Sequence, residues 1–205
     1  MRVEAPDGPS LEARLGLLEG ARGGLVLCHP HPLYGGDMEN PVVVRAAEVG
    51  SETGLSTLRF NFRGVGRSAG AYAQGKGEQG DLRAALAMLR SRLPQGRPLG
   101  LAGYSFGAWI AARVSGPACP LAGLCLIAPP LAMFDFAALD GADMDILLVS
   151  GTRDPYCQPS DLAALAERLP AAETVSIEGA DHFFFGKLFP LGEAIRSWAR
   201  RWAPG

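Results

Sequence analysis

Apolar positions along the chain fall in short runs separated by polar, glycine- and proline-rich stretches, and the runs alternate between two periods. Gly24-Leu25-Val26-Leu27-Cys28 is apolar or small throughout, the pattern of a strand covered on both faces. Residues 58–62, 97–102, 121–128, 144–150 and 174–177 read as further strands. Between them the period is helical. Asn40-Pro41 opens one helix, an N-cap residue before a proline suited to the first helical position. A second, at 78–93, carries Leu82, Ala85, Leu86, Leu89 and Leu93 on one face. Residues 108–114 form a third. Ser160-Asp161 caps a fourth, with Leu162, Leu165 and Leu169 inward, and a last helix presents Leu188, Leu191, Ile195, Trp198 and Trp202. Val3 and residues 11–18 form an opening antiparallel pair around Pro6-Asp7-Gly8-Pro9.

Strands alternating with helices predict a mostly parallel central sheet of about eight strands, flanked by helices on both faces. In such sheets ligands bind beyond the carboxyl ends of the strands. A chain of 205 residues suits one α/β domain spanning 1–205.

Gly103-Tyr104-Ser105-Phe106-Gly107 stands between a predicted strand and a predicted helix. A G-x-S-x-G turn there lifts the serine onto a strained corner above a helix N-terminus, and small flanking residues relieve the crowding. A serine nucleophile needs a base, and the base an orienting acid. The chain has three histidines; His182 directly follows the last predicted strand, and Asp154 follows the strand before it. Asp181 and Asp135 are alternative acids. His29 and His31 with Asp37 form a weak metal pattern without a clear third ligand, so no metal is expected; His29 is instead expected to bond backbone and brace its loop.

Composition narrows the remaining classes. The net charge is -2, which gives no basic surface for nucleic acid or an anionic membrane. Arg196, Arg200 and Arg201 read as a solvated helix face. No run is long enough to span a bilayer, and the first residues lack the apolar stretch of a signal peptide, so a cytoplasmic location is expected. The four cysteines have no metal or redox spacing and are expected to be reduced. No strand-linked nucleotide motif is present, and no cofactor is expected.

With these residues in view, the chain resembles serine hydrolases of the α/β-hydrolase fold, in particular small lidless bacterial members related to the dienelactone hydrolase branch. The elbow, the order Ser105, Asp154, His182, the His29-Pro30-His31-Pro32-Leu33-Tyr34-Gly35-Gly36 loop and the Arg63-Gly64-Val65-Gly66-Arg67-Ser68 loop carry that resemblance. Dienelactone hydrolases use a cysteine nucleophile, so their substrate does not carry over to Ser105.

The resemblance implies a serine carboxylesterase without a cap domain, acting on small carboxylic esters through an acyl-enzyme. Ser105 attacks, His182 shuttles the proton and Asp154 orients the imidazole. The backbone N–H of Phe106 is one expected oxyanion donor. Pro30 and Pro32 have no N–H, which leaves His31 as the second donor, with Leu33 in reserve. Tyr34, Tyr104 and Phe134 are pocket candidates, Trp109 a possible neighbour. The link 129–143 can cover part of the pocket with Leu131, Met133, Phe134 and Phe136 but is too short for a helical lid, so an open site for small or protruding acyl groups is expected. Arg63, Gly64 and Gly66 are expected to shape a turn beside the pocket. A thioesterase or peptidase would use the same residues, and a binding protein could retain the fold; monomer and homodimer both remain open.

Overall fold

In the computed structural model, which describes residues 1–4, 8–116 and 119–203, eight strands form one sheet in the order β1-β2-β4-β3-β5-β6-β7-β8. The strands are β1 (Arg2–Glu4), β2 (Ser10–Gly16), β3 (Gly23–Cys28), β4 (Leu55–Phe60), β5 (Leu99–Tyr104), β6 (Gly123–Ile127), β7 (Asp145–Gly151) and β8 (Ala172–Ile177). The pairs β1–β2 and β2–β4 are antiparallel, and every later pair is parallel. Five helices connect them: α1 (Pro41–Glu52), α2 (Lys76–Arg90), α3 (Phe106–Val114), α4 (Pro159–Glu167) and α5 (Leu188–Trp202). Part of the turn expected at Pro6-Asp7-Gly8-Pro9 lies outside the described residues.

The two faces of the sheet are read off the alternation of its central strands. Val26, Leu101, Leu124, Leu126, Ile146 and Leu148 pack toward α2, α3 and α4. Leu25, Leu27, Ala102, Cys125, Ile127, Leu147 and Val149 pack toward α1 and α5. Both sets are buried, which is why these strands carry no polar face. On the α5 side, Trp202 and Trp198 lie where the sheet has no side chains. A Cβ on Gly100 would stand 2.4 Å from the Trp202 ring, and one on Gly123 2.5 Å from it. Glycine at these two positions lets the indoles rest on the backbone of β5 and β6.

Several boundaries differ from the sequence expectation. β4 begins at Leu55 and ends at Phe60, earlier than the expected 58–62. Ser56 and Thr57 tolerate a buried strand because Ser56 Oγ accepts from the Leu18 N–H and the ladder satisfies the backbone. Asn61 and Phe62 already belong to the site loops. β5 runs through Gly103 and Tyr104, two residues past the expected end. α2 starts and stops earlier than 78–93, because Gly75 turns the chain with φ 83° and Glu78 accepts from its N–H. α4 is not capped by Ser160-Asp161: Gln158 is its N-cap without a side-chain bond, and Pro159 takes the first position.

The loops that follow β3, β5, β6, β7 and β8 all emerge at one edge of the sheet, at the carboxyl ends of the parallel strands. The β6–β7 link contains only a 3-10 turn, Ala137–Leu139, and builds no cap. No helix among the described residues is long and apolar enough to cross a membrane.

Candidate active site

Ser105 occupies the turn between β5 and α3 with φ 55° and ψ -119°, a conformation costly for a residue with a Cβ. The surroundings hold it there. Its N–H donates to the Ile127 carbonyl, and its carbonyl accepts from Ala108. The flanking glycines are required by contact: a Cβ on Gly103 would lie 2.3 Å from the Gly107 carbonyl oxygen, and one on Gly107 2.6 Å from that of His29. The elbow is therefore fitted directly against the loop that leaves β3.

Ser105, His182 and Asp154 come together from the ends of β5, β8 and β7. Ser105 Oγ lies 3.0 Å from His182 Nε2, and His182 Nδ1 lies 2.7 Å from Asp154 Oδ2. A neutral ring that accepts from the serine carries its proton on Nδ1 and donates it to the carboxylate. The other Asp154 oxygen accepts from the Tyr156 N–H at 2.8 Å. Asp154 and His182 are both buried, whereas Ser105 keeps partial exposure. Tyr104 donates its hydroxyl to the His182 carbonyl at 2.9 Å, and burial pushes that phenol well above its ordinary pKa. The strand carrying the serine thus also holds the loop carrying the histidine.

The alternative acids are occupied elsewhere. Asp181 Oδ1 accepts from the N–H groups of Phe183 and Phe185, closing the turn that contains His182. Asp135 Oδ1 accepts from Ala137 at the 3-10 turn.

The His29–Gly36 loop is braced by its own rings. His29 is fully buried; its Nε2 accepts from the Phe62 N–H at 3.0 Å and its Nδ1 donates to the Pro30 carbonyl at 2.7 Å. Desolvation of the buried ring lowers its pKa to about 4, against the Pro30 hydrogen bond, which acts to raise it. His31 caps the following 3-10 turn, Pro32–Tyr34, by accepting the Leu33 N–H on Nδ1 at 3.2 Å. Its Nε2 then donates to Tyr72 Oη, also 3.2 Å away. Partial burial lowers the His31 pKa, which favours this neutral state. The Leu33 N–H, held in reserve as an oxyanion donor, is thereby taken. The N–H groups of His31 and Phe106 have no acceptor among the described residues. For Phe106, the first residue of α3, this follows from the geometry of a helix start.

Residues Arg63, Gly64 and Gly66 form a turn beside the site. Arg63 makes a bidentate pair with buried Asp81 through Nε and Nη2, and Gly64 and Gly66 have φ of 75° and 56°. No cluster of three metal-ligating side chains exists among the described residues. The cysteine thiols at 28, 125 and 157 are buried and raised in pKa by desolvation.

Residues 23–188 match the family described as "Alpha/beta hydrolase domain". The chain belongs to the alpha/beta hydrolase family. Among solved structures, this hydrolase resembles a serine hydrolase without a lid from Xanthomonas campestris at 35% identity and TM-score 0.90, covering 100% of this chain and 94% of that one. It also resembles a serine hydrolase homologue from Coxiella burnetii at 38% identity and TM-score 0.88, covering 96% and 95%. An uncharacterized protein of Rickettsia prowazekii is 34% identical over 182 residues, which are 84% of this chain and 76% of that protein. Like the Xanthomonas protein, the hydrolase is lidless.

The hydrolase's site opens into a cavity of about 310 Å³. Tyr34, Tyr104 and Phe134 line it, as do Met133, Tyr156 and Phe183. Trp109 does not; it stacks under Phe134 with ring centroids 4.4 Å apart. Phe136, expected over the pocket, is buried in the core instead. Tyr156 and Phe183 were not legible as pocket residues. Their sequence positions, beside Asp154 and His182, are the signal that identifies them.

Proposed function

We propose that the chain is a cofactor-independent serine esterase that cleaves carboxylic esters through an acyl-enzyme on Ser105. The observation that carries this reading is the unbroken hydrogen-bond chain from Ser105 Oγ through His182 to buried Asp154, at 3.0 and 2.7 Å.

In the forward step, Ser105 Oγ attacks the ester carbonyl carbon while His182 Nε2 takes its proton. The imidazolium so formed is stabilised by the Asp154 carboxylate, which is itself held by the Tyr156 N–H. Charge develops on the former carbonyl oxygen. The N–H groups of Phe106 and His31 are the donors proposed to receive it, one from each side of the contact between the elbow and the β3 loop. One such donor is worth about 3 kcal/mol of transition-state stabilisation in other hydrolases. His182 then returns the proton to the leaving alcohol. Water enters by the same route, activated by the same ring, and releases the acid.

Labelling with a fluorophosphonate probe tests the reading. Wild-type protein is expected to label at Ser105, and Ser105→Ala and His182→Ala variants are expected to remain unlabelled. A folded wild type that takes no label, and hydrolyses none of a panel of short-chain esters, overturns it.

A further inference from the structure

The cavity above Ser105 continues outward into a rim that water does not favour. Tyr34 is 81% exposed and Phe183 57%, yet both line the cavity, together with exposed Met133 and Tyr156. Phe185, 77% exposed, has its ring centroid 5.8 Å from that of Phe183. Leu33 adjoins Tyr34 in the same 3-10 turn. Four of the ten exposed large apolar side chains among the described residues thus line one mouth, and Phe185 lies beside Phe183 at its edge. Scattered apolar residues need no explanation, but an apolar patch continuous with a reactive cavity marks a binding surface.

The wall chemistry restricts what can enter. No Asp, Glu, Lys or Arg lines the cavity; its ionisable groups are His31, His182 and tyrosines. Two of these are already committed, since the Tyr104 hydroxyl bonds to the His182 carbonyl and His31 caps Leu33 while donating to Tyr72. A substrate carboxylate or ammonium buried here would lose its hydration with no counter-charge in return. An aryl or alkyl group would instead meet the faces and edges of Phe106, Phe134, Tyr156 and Phe183. The loop after β6 has no lid to close over a long group, so such a group leaves through the mouth, along the rim.

Resting on the esterase reading, we infer that the substrate is an uncharged ester whose acid carries an apolar arm longer than the cavity, and that this arm lies on the rim formed by Tyr34, Met133, Tyr156, Phe183 and Phe185. The rim is a part of the substrate site.

Two comparisons test this with the full chain. Methyl hexanoate and monomethyl adipate have acyl chains of equal carbon number and differ in a terminal carboxylate. The first is expected to have a kcat/KM on the order of 10-fold higher, because the second sets a charge against the apolar rim, where it is partly desolvated without a counter-charge. Across 4-nitrophenyl acetate to octanoate, kcat/KM is expected to rise roughly 60-fold, about twofold for each of the six methylenes half-removed from water. In a Phe183→Ser/Phe185→Ser double variant the octanoate-to-acetate ratio is expected to fall about tenfold; Met133→Ser, on a separate loop, is expected to lower it in the same direction. The ratio is internal to each variant and does not depend on how much protein is active. Equal turnover of the adipate monoester, an unchanged chain-length ratio, or a stable dimer that Phe185→Ser dissociates each overturns the inference. Should wild type hydrolyse no ester, the esterase reading falls, and calorimetric titration of Ser105→Ala with the same methyl esters still decides the binding preference. There, tighter binding of the hexanoate supports the inference and equal binding refutes it.

Discussion

Replacing His31 with alanine separates the work of its side chain from that of its backbone. The proposed oxyanion donor is the backbone N–H, which alanine keeps. What alanine removes is the ring: the Nδ1 acceptor for Leu33 at 3.2 Å, the Nε2 donor to Tyr72 at 3.2 Å, and packing against Tyr34, Tyr72 and Phe106 at centroid distances of 4.6, 5.0 and 4.8 Å. Loss of an N-cap costs about 1 kcal/mol, or about fivefold in rate if all of it falls on the transition state. If the loop relaxes so that the His31 N–H leaves the oxyanion, the loss approaches the ~3 kcal/mol of a missing donor, or about 100-fold. The expected kcat of His31→Ala therefore lies between 5- and 100-fold below wild type. His31→Asn restores an acceptor suited to an N-cap and is expected to recover most of that loss. The assay is steady-state hydrolysis of 4-nitrophenyl acetate, a substrate too short to reach the rim, with kcat and KM resolved separately. A kcat for His31→Ala within twofold of wild type would refute the reasoning. So would an His31→Asn variant as slow as the alanine.

Three further outcomes are expected. Tyr104→Phe removes the hydroxyl that holds the His182 carbonyl; at about 0.5–1.5 kcal/mol for one such bond, kcat should fall roughly three- to tenfold with KM little changed, and an unaltered kcat would deny Tyr104 a positioning role. Gly103→Ala sets a Cβ 2.3 Å from the Gly107 carbonyl oxygen. That contact is with backbone, so a thermal melt should show marked destabilisation, and a wild-type melting temperature would contradict the close fit of the elbow. Stability should also fall on mild acidification through His29. Its folded pKa of about 4 lies below the unfolded value, so the unfolded chain binds the extra proton between these values and is favoured as pH drops. From pH 7 to 5 this amounts to about 2 kcal/mol, measurable as a shift in urea midpoint that His29→Gln should largely abolish.

Much of the architecture was legible because the central strands are buried on both faces and leave no ambiguity of period. Runs such as Leu25 to Cys28 and Leu124 to Ile127 announce themselves. β4 was misplaced because its first half contains Ser56 and Thr57, polar residues that a buried strand accepts only in the folded sheet: the Ser56 hydroxyl accepts from Leu18, and their backbone pairs with β3 and, at Thr57, with β2. The residues proposed for catalysis share a different sequence signal: each follows a strand, and a residue after a parallel strand faces the shared edge. What the chain order does not encode is who meets whom across that edge. The Tyr72–His31 bond joins loops after β4 and β3, and the Tyr104–His182 bond joins β5 to the loop after β8. Tyr156 and Phe183 become cavity walls only once α3 and the β6–β7 link have packed Phe106 and Phe134 opposite them.

The contact of Trp202 with Gly100 and Gly123 bears on when the site can exist during synthesis. β5 leaves the ribosome long before α5 is made, and its glycines are bare on the face that α5 will cover. Until Trp198 and Trp202 dock there, the strand that ends in Tyr104 and Ser105 lacks the packing that fixes its height in the sheet. In chain order, the serine and the strand before it therefore precede both the indoles that cover the glycines and the loop bearing His182. Vectorial synthesis thus delivers Ser105 and the helix that covers its strand as separate events, joined only when α5 packs.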